Sequence, residues 1–206
     1  KVFRFMSMKQ VPVGLVDCLV GRISYTGDLG YEIWMEAYNQ RTVFECLLRE
    51  GEEFGIGLFG IRALNSLRLE KNYGSWVREF RPIYSPLETG LGPFVAYEKE
   101  ADFIGKKEAL KERDEGGKLR LRTFVVDARE ADVIGDEPIW FESEVKGWVT
   151  SGGYAHASGV SVAMGYVPKE IADEEKGWEI EILDERRASK LQKQPLFDPD
   201  GRIMRG

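Results

Sequence analysis

Residues 15–36 read LVDCLVGRISYTGDLGYEIWME, and this stretch decides the fold of the first half of the chain. Residues 15–24 are dense in Leu, Val, Ile and Cys, whereas residues 31–36 alternate apolar and polar side chains. This pattern predicts two antiparallel strands joined as a β-hairpin. If residues 27–30 form a four-residue turn, Tyr25 and Glu32 become cross-strand partners that project from one face.

Two helices are expected after the hairpin. The apolar residues of 39–51 fall on one helical stripe, with Asn39 as a plausible N-cap and Gly51 as the stop. A second helix is predicted over residues 61–71, with Ile61, Leu64 and Leu67 facing inward. Strands followed by helices predict an α+β layer.

The next stretch, residues 72–93, carries scattered aromatic side chains and is expected to lie as a long loop on the domain surface. A short strand is predicted over residues 94–97 and a charged helix over residues 106–113. Residues 114–117, Asp-Glu-Gly-Gly, are polar and rich in glycine, and the periodicity changes after them. They are therefore the predicted domain boundary.

The second half of the chain has a strand pattern throughout. We predict two domains, an α+β part over residues 1–115 and a β domain over residues 116–206. Predicted strands cover residues 119–126, 138–141, 145–151, 160–167 and 178–183. Short strands at even spacing predict a small antiparallel barrel or jelly roll.

Composition excludes several classes of protein. The chain has 206 residues, and 29 Lys and Arg against 35 Asp and Glu give a net charge of −6, so a nucleic-acid binder driven by phosphate contacts is not expected. No apolar run is long enough to cross a membrane. The two cysteines, Cys18 and Cys46, are expected to be core thiols in a reducing compartment, which points to the cytoplasm. The chain begins Lys-Val-Phe-Arg without an initiator Met, and we expect it to be part of a longer polypeptide.

Few residues of the sequence suggest direct catalysis. The single histidine, His156, has no second His or Cys pair near it in the sequence, so a zinc site is not expected. It has either a functional role or the ordinary role of a histidine in a loop. No G-x-S-x-G elbow, Walker loop or dinucleotide fingerprint occurs.

The hairpin offers a candidate binding site instead. A carboxylate at Glu32 and a phenol at Tyr25, held among aromatic rings, could bind a flat heterocycle through N–H bonds and stacking. The alternative is that Glu32 faces solvent on a half-exposed strand. Arg62, at the start of the second helix, opposes the helix dipole and needs a carboxylate partner, which Glu32 could supply.

Several strings of the sequence resemble the aminomethyltransferase, or T-protein, family of the glycine cleavage system. The first four are GRISYTGDLGYEI (21–33), GIRALNSLRLE (60–70), PLETGLG (86–92) and DFIGK (102–106). The later strings are similar to the folate-binding end of dimethylglycine and sarcosine dehydrogenases: GWVTSGGY (147–154), AMGYV (163–167) and PLFDPDG (195–201). The string YGSWVREFRP (73–82) favours this dehydrogenase branch over the free-standing T-protein.

The resemblance implies a ferredoxin-like α/β layer followed by a small antiparallel six-stranded barrel, which together form one wall of a tetrahydrofolate site. It implies that Glu32 binds the pterin edge, that Tyr25 lines the pocket, and that Arg62 lies near Glu32 or the folate. The family's catalytic aspartate maps upstream of this chain, so no catalytic residue and no metal ligand is assigned here.

The function implied is that of a fragment of a one-carbon transferase, in which tetrahydrofolate captures a one-carbon unit from a small N-methyl amine or aminomethyl donor. FAD would enter only through an upstream domain of the same polypeptide. Two alternatives stay open: a stand-alone T-protein or folate-dependent demethylase, and a non-enzymatic folate-binding module.

Overall fold

The computed structural model describes residues 3–206, which form a small sheet with helices and then a closed barrel. The sheet is antiparallel, in the order β1 (Met8–Val13), β2 (Val16–Gly21) and β3 (Glu32–Trp34). The helices are α1 (Gln40–Gly51), α2 (Ile61–Glu70), α3 (Lys106–Glu115) and α4 (Arg202–Arg205). Among the described helices, none combines the length and the apolar character that a membrane span requires.

One face of the sheet packs on α1. Alternate residues of β2 are buried, namely Val16, Cys18 and Val20, and they form a cluster with Val43 of the helix. The residue between two of them, Leu19, is 40% exposed on the opposite face. The period of two therefore gives the sheet one buried face, as expected for a strand that is covered on one side.

The hairpin of β2 and β3 is confirmed, but its predicted register is wrong. Glu32 pairs with Gly21, and the whole of residues 22–31 forms the link, so Tyr25 lies in the loop and is not a cross-strand partner of Glu32. The loop is stabilised by local bonds in place of a tight turn, since the Gly27 N–H donates to Ser24 Oγ at 3.0 Å. Strand β1 is additional to the predicted pair, and Pro12 is tolerated in it because β1 is an edge strand.

The helices follow the predictions with two corrections. Residues 94–97 were predicted as a strand, but Gly92–Phe94 form a 3₁₀ helix, because Pro93 fixes the backbone and cannot donate to a strand ladder. Ile61 was predicted to face inward and is 76% exposed. The buried face of α2 instead carries Ser66, Arg68 and Leu69.

The barrel closes in the order β4-β7-β6-β5-β8-β9. Its strands are β4 (Leu119–Val126), β5 (Pro138–Phe141), β6 (Glu144–Ala155), β7 (Val160–Pro168), β8 (Trp178–Ile182) and β9 (Glu185–Gln192). The six strands implied by the resemblance are confirmed, and β9 is the one that the hydrophobic pattern missed. Trp178 lies at the centre of the core, with its ring 4.6 Å from Phe141 and 5.2 Å from Phe124.

Two glycines allow the central barrel strands to approach closely. A Cβ at Gly147 would lie 2.0 Å from the Tyr166 carbonyl oxygen, and one at Gly165 would lie 2.5 Å from the Trp148 carbonyl oxygen. Both neighbours are backbone atoms of a paired strand, so they cannot move without opening the ladder between β6 and β7. Glycine is required at both positions because any side chain would separate the two strands.

We therefore predict that Gly147→Ala lowers the free energy of unfolding by about 3 kcal/mol, the upper end of the usual cost of overpacking. The matched control is Gly57→Ala, because nothing lies within 4 Å of a Cβ placed there. Urea unfolding of both variants measures the difference, and the control should stay within about 0.5 kcal/mol of the wild type. Equal stability of the two variants would contradict the close approach of β6 and β7.

Candidate functional site

Two adjoining cavities lie between the hairpin loop, α2 and the barrel. The hairpin cavity, of about 570 Å³, is lined by residues of the loop, including Glu32, together with the side of α2. The barrel-mouth cavity, of about 640 Å³, is lined by α2, the loop after it and β6. Tyr25 and Leu64 line both cavities. The two cavities therefore adjoin at these two residues, and we call them together the groove. Each has a volume typical of small-molecule sites.

The three sequence-predicted residues all line this groove. Glu32 is exposed and lines the hairpin cavity, whereas Arg62 is exposed and lines the barrel-mouth cavity. Tyr25 stands between them. Arg62 was expected near Glu32 or near a bound folate, and the salt bridges found within residues 3–206 do not include a pair of Arg62 with Glu32. The two charges face different cavities, and each is left free to meet a ligand.

Tyr25 is fixed by the loop that follows α2. Its hydroxyl donates to the Gly74 carbonyl oxygen at 2.9 Å, and its ring stacks on Tyr73 with centroids 6.2 Å apart and planes inclined by 10°. Burial raises the pKa of the Tyr25 phenol, with Arg68 opposing and Glu79 adding to the rise. The phenol therefore stays protonated at neutral pH and keeps its donated hydrogen bond.

The loop itself is held by the carboxylate of Glu79, which is fully buried. One carboxylate oxygen accepts from Ser151 Oγ of β6 at 2.5 Å, and the other accepts from the Ser75 N–H at 2.7 Å. Arg68 of α2 lies 3.3 Å from the second oxygen, and its side chain is 4% exposed. The Glu79 backbone carbonyl accepts from the Tyr166 hydroxyl at 2.6 Å. One residue thus connects the loop, the helix and two barrel strands.

Burial by itself would raise the pKa of Glu79. The hydrogen bonds from Ser151, Thr150 and the Ser75 N–H, together with the Arg68 guanidinium, outweigh it and hold that pKa below its usual range. The Arg68 guanidinium is satisfied in turn, because it donates to Asn65 Oδ1 at 2.7 and 2.9 Å and to the Tyr73 carbonyl oxygen at 3.0 Å. The pair is charged and hydrogen-bonded on both sides, which a stable buried ion pair requires.

A second contact joins α2 to the loop between β6 and β7. The Glu70 carboxylate, 1% exposed, accepts from the Ala157 N–H at 3.0 Å and from Ser158 Oγ at 2.6 Å. Ser66 Oγ donates to the Tyr154 carbonyl oxygen at 2.8 Å and accepts from the His156 N–H at 3.1 Å. The barrel mouth is thereby locked against the helix that forms the floor of the groove.

His156 lines the barrel-mouth cavity with an exposed ring, packed edge-on against Tyr154 at 5.0 Å between centroids. Its backbone N–H makes the hydrogen bond to Ser66 of α2. In the part of the chain that the structure describes, no group of three or more His, Cys, Asp or Glu side chains is placed to hold a metal ion.

Sequence reasoning missed Arg68 and Glu79. Both occur in strings that carry the family resemblance, LRLE (67–70) and YGSWVREFRP (73–82). The strings marked these two residues but indicated no role for them. Arg68 lies between Leu67 and Leu69 on α2. A charged side chain that is buried among apolar neighbours needs a partner. The partner could not be read from the sequence, because the contact depends on how the loop turns back between them.

Comparison with known proteins agrees with the fold. Residues 1–99 match the family model of the GCVT N-terminal domain, and residues 120–198 match the glycine cleavage T-protein C-terminal barrel domain. Mitochondrial dimethylglycine dehydrogenase of Mus musculus is 37% identical over 194 residues, which are 94% of this chain and 22% of that protein. An aminomethyltransferase of Symbiobacterium thermophilum is 33% identical over 187 residues, 90% of this chain and 49% of that protein.

A solved structure shows the same arrangement. The glycine cleavage system aminomethyltransferase T from Bartonella henselae superposes with a TM-score of 0.83 at 25% identity, over 95% of this chain and 53% of that one. The chain therefore spans about half the length of the aminomethyltransferases it matches and about a fifth of the dehydrogenase.

Glu79→Gln should lower the free energy of unfolding at pH 7 by about 3 to 5 kcal/mol, because it leaves Arg68 buried without a counter-charge. The stabilisation from a carboxylate whose folded pKa is depressed is fully present above the unfolded value near 4.5 and is lost as the pH falls through the folded value. Urea unfolding between pH 7 and pH 3 should therefore show a weaker pH dependence for the variant than for the wild type.

The control for this measurement is Asp136→Asn, which removes an ion pair with Arg78. The Arg78 side chain is 47% exposed and that of Asp136 is 80% exposed. A surface pair contributes about 0 to 1 kcal/mol, so this variant should keep the wild-type acid dependence. If Glu79→Gln and Asp136→Asn unfold alike, the buried carboxylate does not connect the parts as described.

Proposed function

We propose that this chain, which belongs to the glycine cleavage T-protein family, forms the folate-binding part of a tetrahydrofolate-dependent one-carbon transferase. The observation that carries the proposal is the placement of Tyr25 between two cavities, one with the Glu32 carboxylate and one with the Arg62 guanidinium. A ligand with N–H donors at one end and a carboxylate at the other matches this order of groups.

Tetrahydrofolate fits the groove on the chemistry of the side chains that line it. Glu32 supplies an acceptor for the N–H groups of a pterin edge, and a charge-assisted bond of this kind is stronger than a neutral one. Tyr25 and Leu64 supply the apolar middle of the groove, against which a ring can pack. Arg62 and Arg78, both exposed at the barrel mouth, supply cations for the glutamate carboxylates.

When bound, tetrahydrofolate supplies the amine nitrogens that take up a one-carbon unit at the oxidation level of formaldehyde. The residues of this chain act by binding and orientation. Glu32 holds the pterin end, and Tyr25 contacts the ligand where the two cavities adjoin. The hydrogen bonds of Glu79 hold the loop after α2, which in turn keeps Tyr25 in place. Holding the acceptor where the one-carbon unit is released is the main contribution we assign, because proximity replaces a second diffusional encounter.

Within the family we propose the dimethylglycine dehydrogenase branch over the stand-alone aminomethyltransferase. The identity to the mouse dehydrogenase is 37%, and that to the Symbiobacterium aminomethyltransferase is 33%. In this proposal, an upstream domain of the same polypeptide binds FAD and oxidises a small N-methyl amine, and the released one-carbon unit reaches the groove described here. The catalytic aspartate implied by the family resemblance is proposed to lie upstream as well.

Variants of the complete polypeptide can test the two ends of the groove separately. Glu32→Gln should weaken binding of tetrahydrofolate, and of a tetrahydropterin without the benzoylglutamate tail, by about 1.5 to 3 kcal/mol. Arg62→Met should weaken only tetrahydrofolate, because the tail-less pterin has no carboxylate to meet the guanidinium. Titration calorimetry with the two ligands measures both effects.

Arg113→Met is the matched control, since its guanidinium pairs with Glu98 and Asp114 away from both cavities. It should bind both ligands like the wild type. Unchanged affinity for both ligands in Glu32→Gln, or an equal loss for both in Arg62→Met, would contradict the orientation of the ligand in the groove.

We also predict that the 206-residue chain by itself does not catalyse formation of methylene-tetrahydrofolate. The chain provides binding groups, whereas the assigned catalytic group lies elsewhere. Exposed apolar side chains such as Phe54 at 81% and Leu58 at 70% should also favour self-association of the isolated chain. An assay with formaldehyde and tetrahydrofolate, against the uncatalysed background, measures the first point and analytical ultracentrifugation the second.

Saturable turnover by the isolated chain that disappears in Glu32→Ala would show that the catalyst lies within these residues. Turnover that persists in Glu32→Ala would instead indicate that the groove is not the place of reaction.

A further inference from the structure

The chain after the last barrel strand returns to the hairpin loop. We call residues 193–206 the C-terminal tail. The Phe197 N–H donates to the Glu70 carbonyl oxygen at 3.1 Å, at the end of α2. Further along, the Arg205 carbonyl oxygen accepts from Arg22 at 2.5 Å. The tail therefore spans from the barrel to the strand that begins the hairpin loop.

Lys71 fixes this tail to α2. Its ammonium donates to Asp198 Oδ2 at 3.1 Å, to the Phe197 carbonyl oxygen at 3.4 Å and to the Asp198 carbonyl oxygen. The side chains of Lys71 and Asp198 are only 3% and 5% exposed. Asp198 is held from the other side as well, because its carboxylate accepts from the Arg202 N–H at 2.8 Å. All three Lys71 protons have acceptors in the tail.

The carbon chain of the same lysine supports the hairpin loop. Gly27, with φ of +90°, lies so close that a Cβ on it would meet Lys71 Cδ at 3.0 Å and Cγ at 3.2 Å. Three hydrogen bonds are found within residues 24–29, and all are local: Gly27 N–H to Ser24 Oγ at 3.0 Å, Asp28 N–H to Thr26 Oγ1 at 3.4 Å, and one between the Ser24 and Thr26 hydroxyls at 3.3 Å. A loop with so few internal bonds takes its position from the groups that it rests on.

The tail also reaches Tyr25 by a second route. The Tyr73 hydroxyl contacts Met204 Sδ of the tail at 3.1 Å, and the Tyr73 ring stacks on Tyr25. The Lys71 ammonium binds residues 197 and 198, whereas the Tyr73 hydroxyl contacts Met204, so the two residues hold the tail at two points. Tyr25 is thus held by its stacking on Tyr73, and Gly27, two residues further along, rests on the Lys71 carbon chain.

We propose that Lys71 is a positioning residue for the ligand groove: by binding the C-terminal tail with its ammonium and the loop with its carbon chain, it places Tyr25. This proposal rests on the proposed function of the groove. Removing one partner of a buried ion pair usually costs stability, because the other charge is left without a counter-charge. The Asp198 carboxylate keeps two donors of the tail itself, the Arg202 N–H at 2.8 Å and the Met204 N–H at 3.4 Å. The effect expected from loss of the Lys71 charge is therefore greatest at the tail and at the loop that carries Tyr25.

The variant that tests the proposal is Lys71→Met, made in the complete polypeptide, since Met keeps an unbranched side chain and removes the ammonium. Hydrogen exchange followed by mass spectrometry should show faster exchange over residues 24–29 and 195–206, with the barrel strands unchanged. Lys71→Arg should restore slow exchange because it keeps the charge. Lys107→Met, on the exposed face of α3, is the matched control and should exchange like the wild type.

Tetrahydrofolate binding provides the functional measurement. Lys71→Met should weaken it by about tenfold, or ~1.4 kcal/mol. If Lys71 acts through Tyr25, the loss should shrink to less than threefold in a Tyr25→Ala background, because coupled residues are not additive. A general loss of structure would instead give the same factor in both backgrounds.

The outcomes are distinguishable. Unchanged exchange over residues 24–29 in Lys71→Met overturns the proposal whatever the ligand does, and so does an equal loss of affinity in the two Tyr25 backgrounds. Faster exchange in a protein whose wild type does not bind tetrahydrofolate supports the placement of Tyr25 by Lys71 and refutes the proposed function of the groove.

Discussion

The carboxylate of Glu79 is the contact on which the rest of the site depends. It has no exposure to solvent, and its partners come from three parts of the chain: Ser75 in the loop, Arg68 on α2 and Ser151 on the barrel. A buried carboxylate is stable only where its oxygens are fully hydrogen-bonded, so these parts can adopt few other arrangements while it stays charged. The relative position of helix and barrel, and with it the shape of the barrel-mouth cavity, follows from this requirement.

The sequence predicted the strong periodic elements and missed those set by tertiary contacts. Helix α1 and strand β4 follow from their hydrophobic spacing, although α1 buries only Val43 of its apolar stripe and leaves Phe44 46% exposed. Strand β9, ERRASKLQ, has too few apolar residues to give a strand signal, and it is a strand because closing the barrel supplies it with two neighbours. The predicted strand at 94–97 failed for the opposite reason, since its apolar residues follow a proline that fixes a 3₁₀ turn.

The three residues named from the sequence line the two cavities, but the geometry predicted for them is wrong. Tyr25, Glu32 and Arg62 do line one groove, but the expected pairing of Tyr25 with Glu32 assumed a tight turn where the chain has an extended loop. The register of a hairpin is set by its turn, and glycines at 27 and 30 allowed more than one turn length. The pairing of Arg68 with Glu79 could not be predicted from the sequence, because it depends on the tertiary fold and not on the sequence around either residue.

Helix α2 explains why so many buried charges gather here. It is only about 15 Å long, and its ends serve different parts of the molecule. Its first turn gives Arg62 and Leu64 to the groove, its middle gives Ser66 and Arg68 to the barrel and the loop, and the residue that follows it, Lys71, binds the tail. Hydrogen bonds weaken steeply away from their preferred distances and angles, so these polar contacts fix α2 more narrowly than apolar packing alone would. The polar face of α2 therefore fixes the position of this short helix against the barrel and the loop, and with it the shape of the groove.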